Sequence, residues 1–303
     1  MRCAAALILL GLTILPPALA GDPPIERYYE VVVETGTRAA PGGASVDYAL
    51  YIPQPTPSLP APPWPAIVLT HGFGRDFGRH LLSAVYLAEH GAIVMTPNML
   101  TLIGGDAAQE RNIALTADHV AWLLRRNSDH GDPLFALIDT HRIGLAGHSA
   151  GAAVSLEAAL ALQERGTPAA AICLLDAVPW QRTLRRAAAL GSSAVISLRS
   201  EPAVCNARGA AVDLTDALRF PHYDLKIRGA THCDPESPTD ATCRIACGGG
   251  SIEATTLYRD LTYAFFRDSL NLPVAELPPE SLAQALLRLT RDGRIEVRET
   301  PSH

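Results

Sequence analysis

The chain has 303 residues, 48% of them hydrophobic and 18% charged, enough to bury the core of a large single domain and too apolar for a disordered protein. A formal net charge of -6, with no run of lysine or arginine, argues against a nucleic-acid or anionic-membrane partner held by charge.

Residues 1–20, MRCAAALILLGLTILPPALA, combine a basic start at Arg2, an apolar run from Ala4 to Leu15 and an Ala18-Leu19-Ala20 ending. That is the pattern of a cleaved secretory signal, and the apolar run is shorter than the roughly 20 residues of a membrane span. The expectation is therefore a secreted or periplasmic protein without a stable membrane anchor. Residues 21–272 are expected to form one domain and residues 273–303 a tail with one helix.

Next, RYYEVVVETGT and VDYALYIP read as an antiparallel pair of strands, and PQPTPSLPAPPWP as a stiff surface connection poor in N–H donors. From Ala66 strands and helices alternate: strand AIVLTHGF, helix GRHLLSAVYLAEHG, strand AIVMTPN, helix DAAQERNIALTADHVAWLLRRNS, strand RIGLAGH, helix AGAAVSLEAALALQERG, strand AAICLLDAV and a helix around WQRTLRRAAAL. Strand SAVISLRS, a helix-containing excursion, strand YDLKIRG and helix SIEATTLYRDLTYAFFRDSL follow. Alternation of this kind implies an α/β fold, a mainly parallel sheet covered on both faces, with reactive groups at the carboxyl ends of its strands.

Five cysteines follow the leader. The four after residue 200, Cys205, Cys233, Cys243 and Cys247, form a disulfide pool with three possible connectivities, and their spacing lacks the paired arms of a zinc site. Cys173, in the apolar AAICLLD, reads as a buried free thiol.

Gly147-His148-Ser149-Ala150-Gly151 fits G-x-S-x-G with a strand before it and a helix after it. The small flanking residues suit a tight, strained turn that raises the Ser149 hydroxyl above the sheet, beside a helix N-terminus. A serine hydroxyl is a weak nucleophile at neutral pH, so the motif calls for a histidine base and an orienting carboxylate further along the chain. Of ten histidines, His232 in LKIRGATHCD follows the last parallel strand. His222 precedes that strand, His148 abuts the nucleophile but points elsewhere, and His71 belongs to an earlier strand exit. Asp176 and Glu201 both close strands and both remain candidates for the acid; Asp224, which opens a strand, is a poorer one. The oxyanion needs two aimed donors. These are expected to be the backbone N–H groups of Ala150 and of Phe73 in HGFGR, a loop that Gly72 and Gly74 allow to curl.

Taken together, LTHGFGRDFGRHLLSAVYLAEHGAIVMTPN, GHSAG, LLDAVPW and LKIRGATH resemble the α/β-hydrolase superfamily, in the branch that holds chlorophyllases, platelet-activating-factor acetylhydrolases and bacterial polyester hydrolases. The resemblance runs from about Tyr48 to Asp268. It implies the α/β-hydrolase fold. In the first two groups the acid sits in an LD setting like Leu175-Asp176, which favours Asp176. In the polyester hydrolases it follows the next strand, where this chain carries Glu201-Pro202.

The expected function is a serine hydrolase of carboxylic esters acting on a small or lipid-like ester, with Ser149 as nucleophile, His232 as base, Asp176 or Glu201 as acid, and no metal or organic cofactor. An acyltransferase or peptidase would use the same groups, and a binding protein on the same scaffold would have lost them. The pocket is expected around Phe73, Met99, Trp180 and Val204.

Overall fold

The computed structural model describes residues 28–100, 105–191, 193–273 and 280–298. The proposed leader, residues 1–20, lies outside them, as does part of the tail. Among the described residues nine strands form one sheet in the order β1-β2-β4-β3-β5-β6-β7-β8-β9. At one edge β1 (Val31–Ala39) and β2 (Ser45–Pro53) pair antiparallel, and β2 pairs antiparallel with β4 (Ile93–Pro97). The centre is parallel: β4, β3 (Trp64–Thr70), β5 (Ile138–His148), β6 (Ala171–Leu175), β7 (Ala194–Arg199) and β8 (Tyr223–Ile227).

Every residue of β3, β4 and β6 is buried, as a sheet covered on both faces requires. Alternate residues serve two cores. Ala66, Val68, Leu145 and Leu174 pack with α2 (Gly105–Ser128), α3 (Ala150–Glu164), α4 (Gln181–Ala187) and α5 (Ala211–Ala217). Ile67, Leu69, Ala146 and Cys173 pack on the other face with α1 (Leu81–Glu89), α7 (Ile252–Leu270) and α8 (Leu282–Arg291). Full burial of a side chain such as Ile67 or Leu69 is worth ~1.5–3 kcal/mol.

The path of the chain places the site. From β3 it crosses to β4 on one side and then returns past β3 to β5 on the other, so the strand order reverses between β3 and β5. Connections leave in opposite directions there, and a crevice opens above the carboxyl ends of the two strands. The HGFGR loop leaves β3 at that point and GHSAG leaves β5.

The structure departs from the sequence reading in three places. β5 begins at Ile138, ahead of the expected RIGLAGH, with an irregular pairing to β3 between Trp64 and Ala66. Part of the cysteine-rich stretch is helical, as α6 (Ala241–Cys247). After α8 the tail also supplies a strand, β9 (Ile295–Arg298), antiparallel to β8.

Candidate active site

Ser149 occupies the turn between β5 and α3 with φ 57 and ψ -123, a left-handed conformation that costs of order 1–3 kcal/mol for a non-glycine residue. Its surroundings hold it there. Ser149 N–H donates to Leu175 O at 2.9 Å, while Ser149 O accepts from Ala152 N–H and Val178 N–H, both at 3.1 Å. The two glycines are demanded by space as well. A Cβ on Gly147 would lie 2.4 Å from Gly151 O, and one on Gly151 would lie 2.3 Å from His71 O. The strand, the helix and the neighbouring loop approach one another too closely for any side chain.

His232 reaches this serine from the loop after β8. Its Nε2 stands 2.9 Å from Ser149 Oγ, and its Nδ1 stands 2.6 Å from Asp176 Oδ2. The carboxylate fixes the tautomer: Nδ1 carries the proton toward Asp176, which leaves Nε2 as the acceptor facing the hydroxyl. Ser149, His232 and Asp176 are all buried, at 7%, 6% and 1% exposure, so these contacts lie largely outside bulk water.

Asp176 follows β6 directly, also with positive φ, and its N–H continues the ladder to Leu198 O at 2.7 Å. Its carboxylate accepts from Ser200 N–H (2.9 Å), Ser200 Oγ (2.6 Å) and Asn206 Nδ2 (3.2 Å). Glu201 is elsewhere. Its carboxylate accepts from Gly229 N–H at 3.2 Å and pairs with Lys226 at 3.3 Å. The structure therefore brings Asp176, not Glu201, to the imidazole. Asp224 lies deep between strands, paired with Arg199 and Arg298, and His222 bonds Phe220 O ahead of β8.

The two segments expected to supply oxyanion donors are the start of α3 and the HGFGR loop. Ala150 N–H is the first of α3 and has no acceptor within the helix. Arg75 N–H closes the turn onto Gly72 O at 3.3 Å, and Gly74 takes φ 67 within it. That is the geometry of a type II turn with Phe73 at its first central position. A Cβ on Gly72 would meet Ser149 Cβ at 3.1 Å, a measure of how closely this loop abuts the serine.

His71 braces the loop from below. Met99 N–H donates to its Nε2 at 3.0 Å, so Nδ1 holds the proton and donates to Gly72 O at 2.8 Å. Burial pushes the His71 pKa down, with the Gly72 bond opposing, which keeps this tautomer neutral. His148 points away from the hydroxyl, as expected. Its Nε2–H donates to His232 O at 2.8 Å, and burial, followed by the neighbouring His232, holds its pKa well below the usual range.

The disulfides join Cys205 to Cys247 and Cys233 to Cys243, and Cys173 is a buried free thiol. The sulfurs of Cys233, Cys243 and Cys247 lie within 4.8 Å of one another, but each is spent in a disulfide. The bridges adjoin the site, since Cys233 follows His232 and Cys205 precedes Asn206.

Sequence reasoning missed Ser200, Asn206 and Asp234. The Asp234 carboxylate accepts from Thr231 N–H at 2.6 Å and Ser251 N–H at 2.7 Å, which ties the histidine loop to the start of α7. The available signal was adjacency: Asn206 and Asp234 each neighbour a half-cystine. A cavity of about 890 Å³ between α7 and α8, lined by Asp260, Arg267 and Arg288 among others, includes none of the candidate residues.

A family model described as Chlorophyllase matches residues 39–187, from the end of β1 through α4. The matched segment holds Phe73, Ser149, Ala150 and Asp176 and ends before His232. No curated protein matches the chain.

Proposed function

We infer that this chain, which belongs to the chlorophyllase-like branch of the α/β-hydrolases, is an exported serine hydrolase that cleaves carboxylic esters through an acyl-enzyme. One observation carries the reading: the unbroken hydrogen-bonded series from Ser149 Oγ through His232 to Asp176 at the switch point of the sheet.

Ser149 Oγ attacks the ester carbonyl as its proton passes to His232 Nε2. The resulting imidazolium keeps its Nδ1–H on Asp176, whose charge stabilises it. The tetrahedral oxyanion forms between the N–H groups of Ala150 and Phe73, where the start of α3 adds its favourable dipole. Collapse expels the alcohol with the proton that His232 returns. Water, deprotonated by the same imidazole, then releases the acid and restores Ser149. No step calls for a metal or organic cofactor.

Export is supported by the leader pattern of residues 1–20 and by two disulfides, which persist in oxidising compartments. The N-terminal residue of protein recovered from the medium or periplasm tests it. The chemistry is tested with Ser149→Ala. Loss of p-nitrophenyl ester turnover and of fluorophosphonate labelling, with the circular dichroism spectrum retained, is expected; undiminished turnover ends the proposal.

A further inference from the structure

One buried carboxylate that takes no part in this chemistry adjoins three of the chain segments that do. Glu236, with a fully buried side chain, accepts from Arg75 Nε and Nη2, both at 2.6 Å, in a two-pronged pair. Arg75 is the last residue of the HGFGR turn, and its own N–H closes that turn around Phe73. Glu236 sits in the histidine loop, four residues after His232, and its N–H donates to Cys233 O at 3.1 Å. Its Oε1 lies 3.7 Å from Nδ1 of His148, the residue before the nucleophile, whose other nitrogen donates to His232 O.

The protons make the arrangement informative. His148 Nε2 must carry the hydrogen that reaches His232 O, so its Nδ1 is a bare acceptor facing a carboxylate oxygen. No hydrogen bond satisfies that nitrogen among the described residues. The Arg75 guanidinium occupies the carboxylate that faces this nitrogen, with Thr239 Oγ1–H also donating to the carboxylate at 3.0 Å and Asp240 pairing with the arginine at 3.1 Å. Beside the pair, Ser237 N–H donates to Arg79 O and Leu82 N–H to Ser237 O, both at 2.8 Å, so the histidine loop is also joined along its backbone to the helical segment that follows the HGFGR turn.

We propose that Glu236 is a positioning residue: through its fork with Arg75 it sets the spacing between the oxyanion loop and the histidine loop, and so governs the rate of the chemical step rather than substrate binding. The inference rests on the ester-hydrolase reading above. A displacement of about 1 Å between donor, nucleophile and base is enough to cost on the order of 100-fold in rate.

The test compares wild type, Glu236→Gln and Arg75→Lys in p-nitrophenyl ester turnover and in affinity for an alkyl boronic acid, which forms a tetrahedral adduct on a reactive serine. Expected for each variant is a loss of about 10- to 100-fold in kcat with KM within about threefold. Boronate affinity should fall by the same factor as kcat/KM, a correspondence that mere loosening of the fold does not produce. Arg75→Ala and Glu236→Ala should not multiply when combined, because each removes the same fork. A kcat within about twofold of wild type in Glu236→Gln, a loss confined to KM, or multiplicative alanine effects would each overturn the proposal. Should Glu236→Gln fail to fold, Arg75→Lys, which keeps the charge and loses the fork, decides by the same readouts. If wild type itself neither turns over the ester nor binds the boronate, it is the hydrolase reading that falls.

Discussion

Replacing Asp176 by Asn removes one charge, and the local hydrogen bonds dictate how the amide must sit. Ser200 N–H points at Oδ1 and, as a backbone donor, can only be met by an oxygen. The amide oxygen therefore takes that position, and the NH2 group takes the Oδ2 position facing His232 Nδ1. The imidazole must then present Nδ1 as an acceptor and carry its proton on Nε2, where it cannot receive the proton of Ser149 Oγ. The reverse amide placement sets NH2 against N–H and leaves a buried donor unmet, a cost of ~1–3 kcal/mol. With the working tautomer lost and the charge on the imidazolium uncompensated, kcat should fall by ~10^3–10^4, or ~4–5 kcal/mol of transition-state stabilisation. Glu201→Gln is the matched control, since Glu201 faces Gly229 and Lys226; its kcat should stay within about twofold and its stability within about 1 kcal/mol. The assay is kcat and KM on a p-nitrophenyl ester at pH 8, with thermal melts to verify folding. Asp176→Asn retaining more than about a tenth of wild-type kcat would refute the reasoning, as would a comparable collapse in Glu201→Gln.

Two further outcomes are expected. The bridge Cys205–Cys247 closes 42 residues and Cys233–Cys243 closes 10, so removing them pairwise should cost ~4 and ~3 kcal/mol in denaturant unfolding, the longer loop more; a reversed order would contradict this loop-closure account. Burial depresses His80 and His119 to about 3, with the neighbouring His71 imidazole adding to the shift of His80 and the Arg38 charge to that of His119, so the native fold keeps both neutral while the unfolded chain protonates them near pH 6.5. Stability from this source is complete above pH 6.5 and drains away as the pH falls toward 3, ~2 kcal/mol per imidazole by pH 5. That window lies above the one in which paired carboxylates such as Glu34 and Asp240, held below their usual range, begin to matter. Urea midpoints between pH 8 and pH 5 report the loss, and a flat profile would show that these histidines protonate in the folded protein.

The parallel centre of the fold was legible because buried strands such as AIVLT and AICLL and the helices between them announce themselves by local pattern. Ser149 was legible for the same reason: its strain is met by small neighbours within five residues. His232 could be placed from strand order alone. The acid could not, because Asp176 and Glu201 both end strands, and only the third dimension shows which one faces the imidazole. Resemblance to relatives, not spacing, favoured Asp176. Arg75 and Glu236 are 161 residues apart, and an arginine in a loop and a glutamate in a cysteine-rich stretch each look like ordinary surface charge. The strand IEVR escaped notice because it is short, polar and half exposed, and only an available partner makes it a strand.

That last strand has a practical bearing on how the protein is handled. β9 covers the outer backbone of β8, and its Arg298 meets Asp224, a carboxylate with no exposure to solvent. Trimming the gene ahead of Ile295 to obtain a tidier crystallisation target would strip that cover, baring a row of amide and carbonyl groups that a second molecule can zip onto. Material cut there should come off a sizing column as aggregate even though every residue near Ser149 is intact.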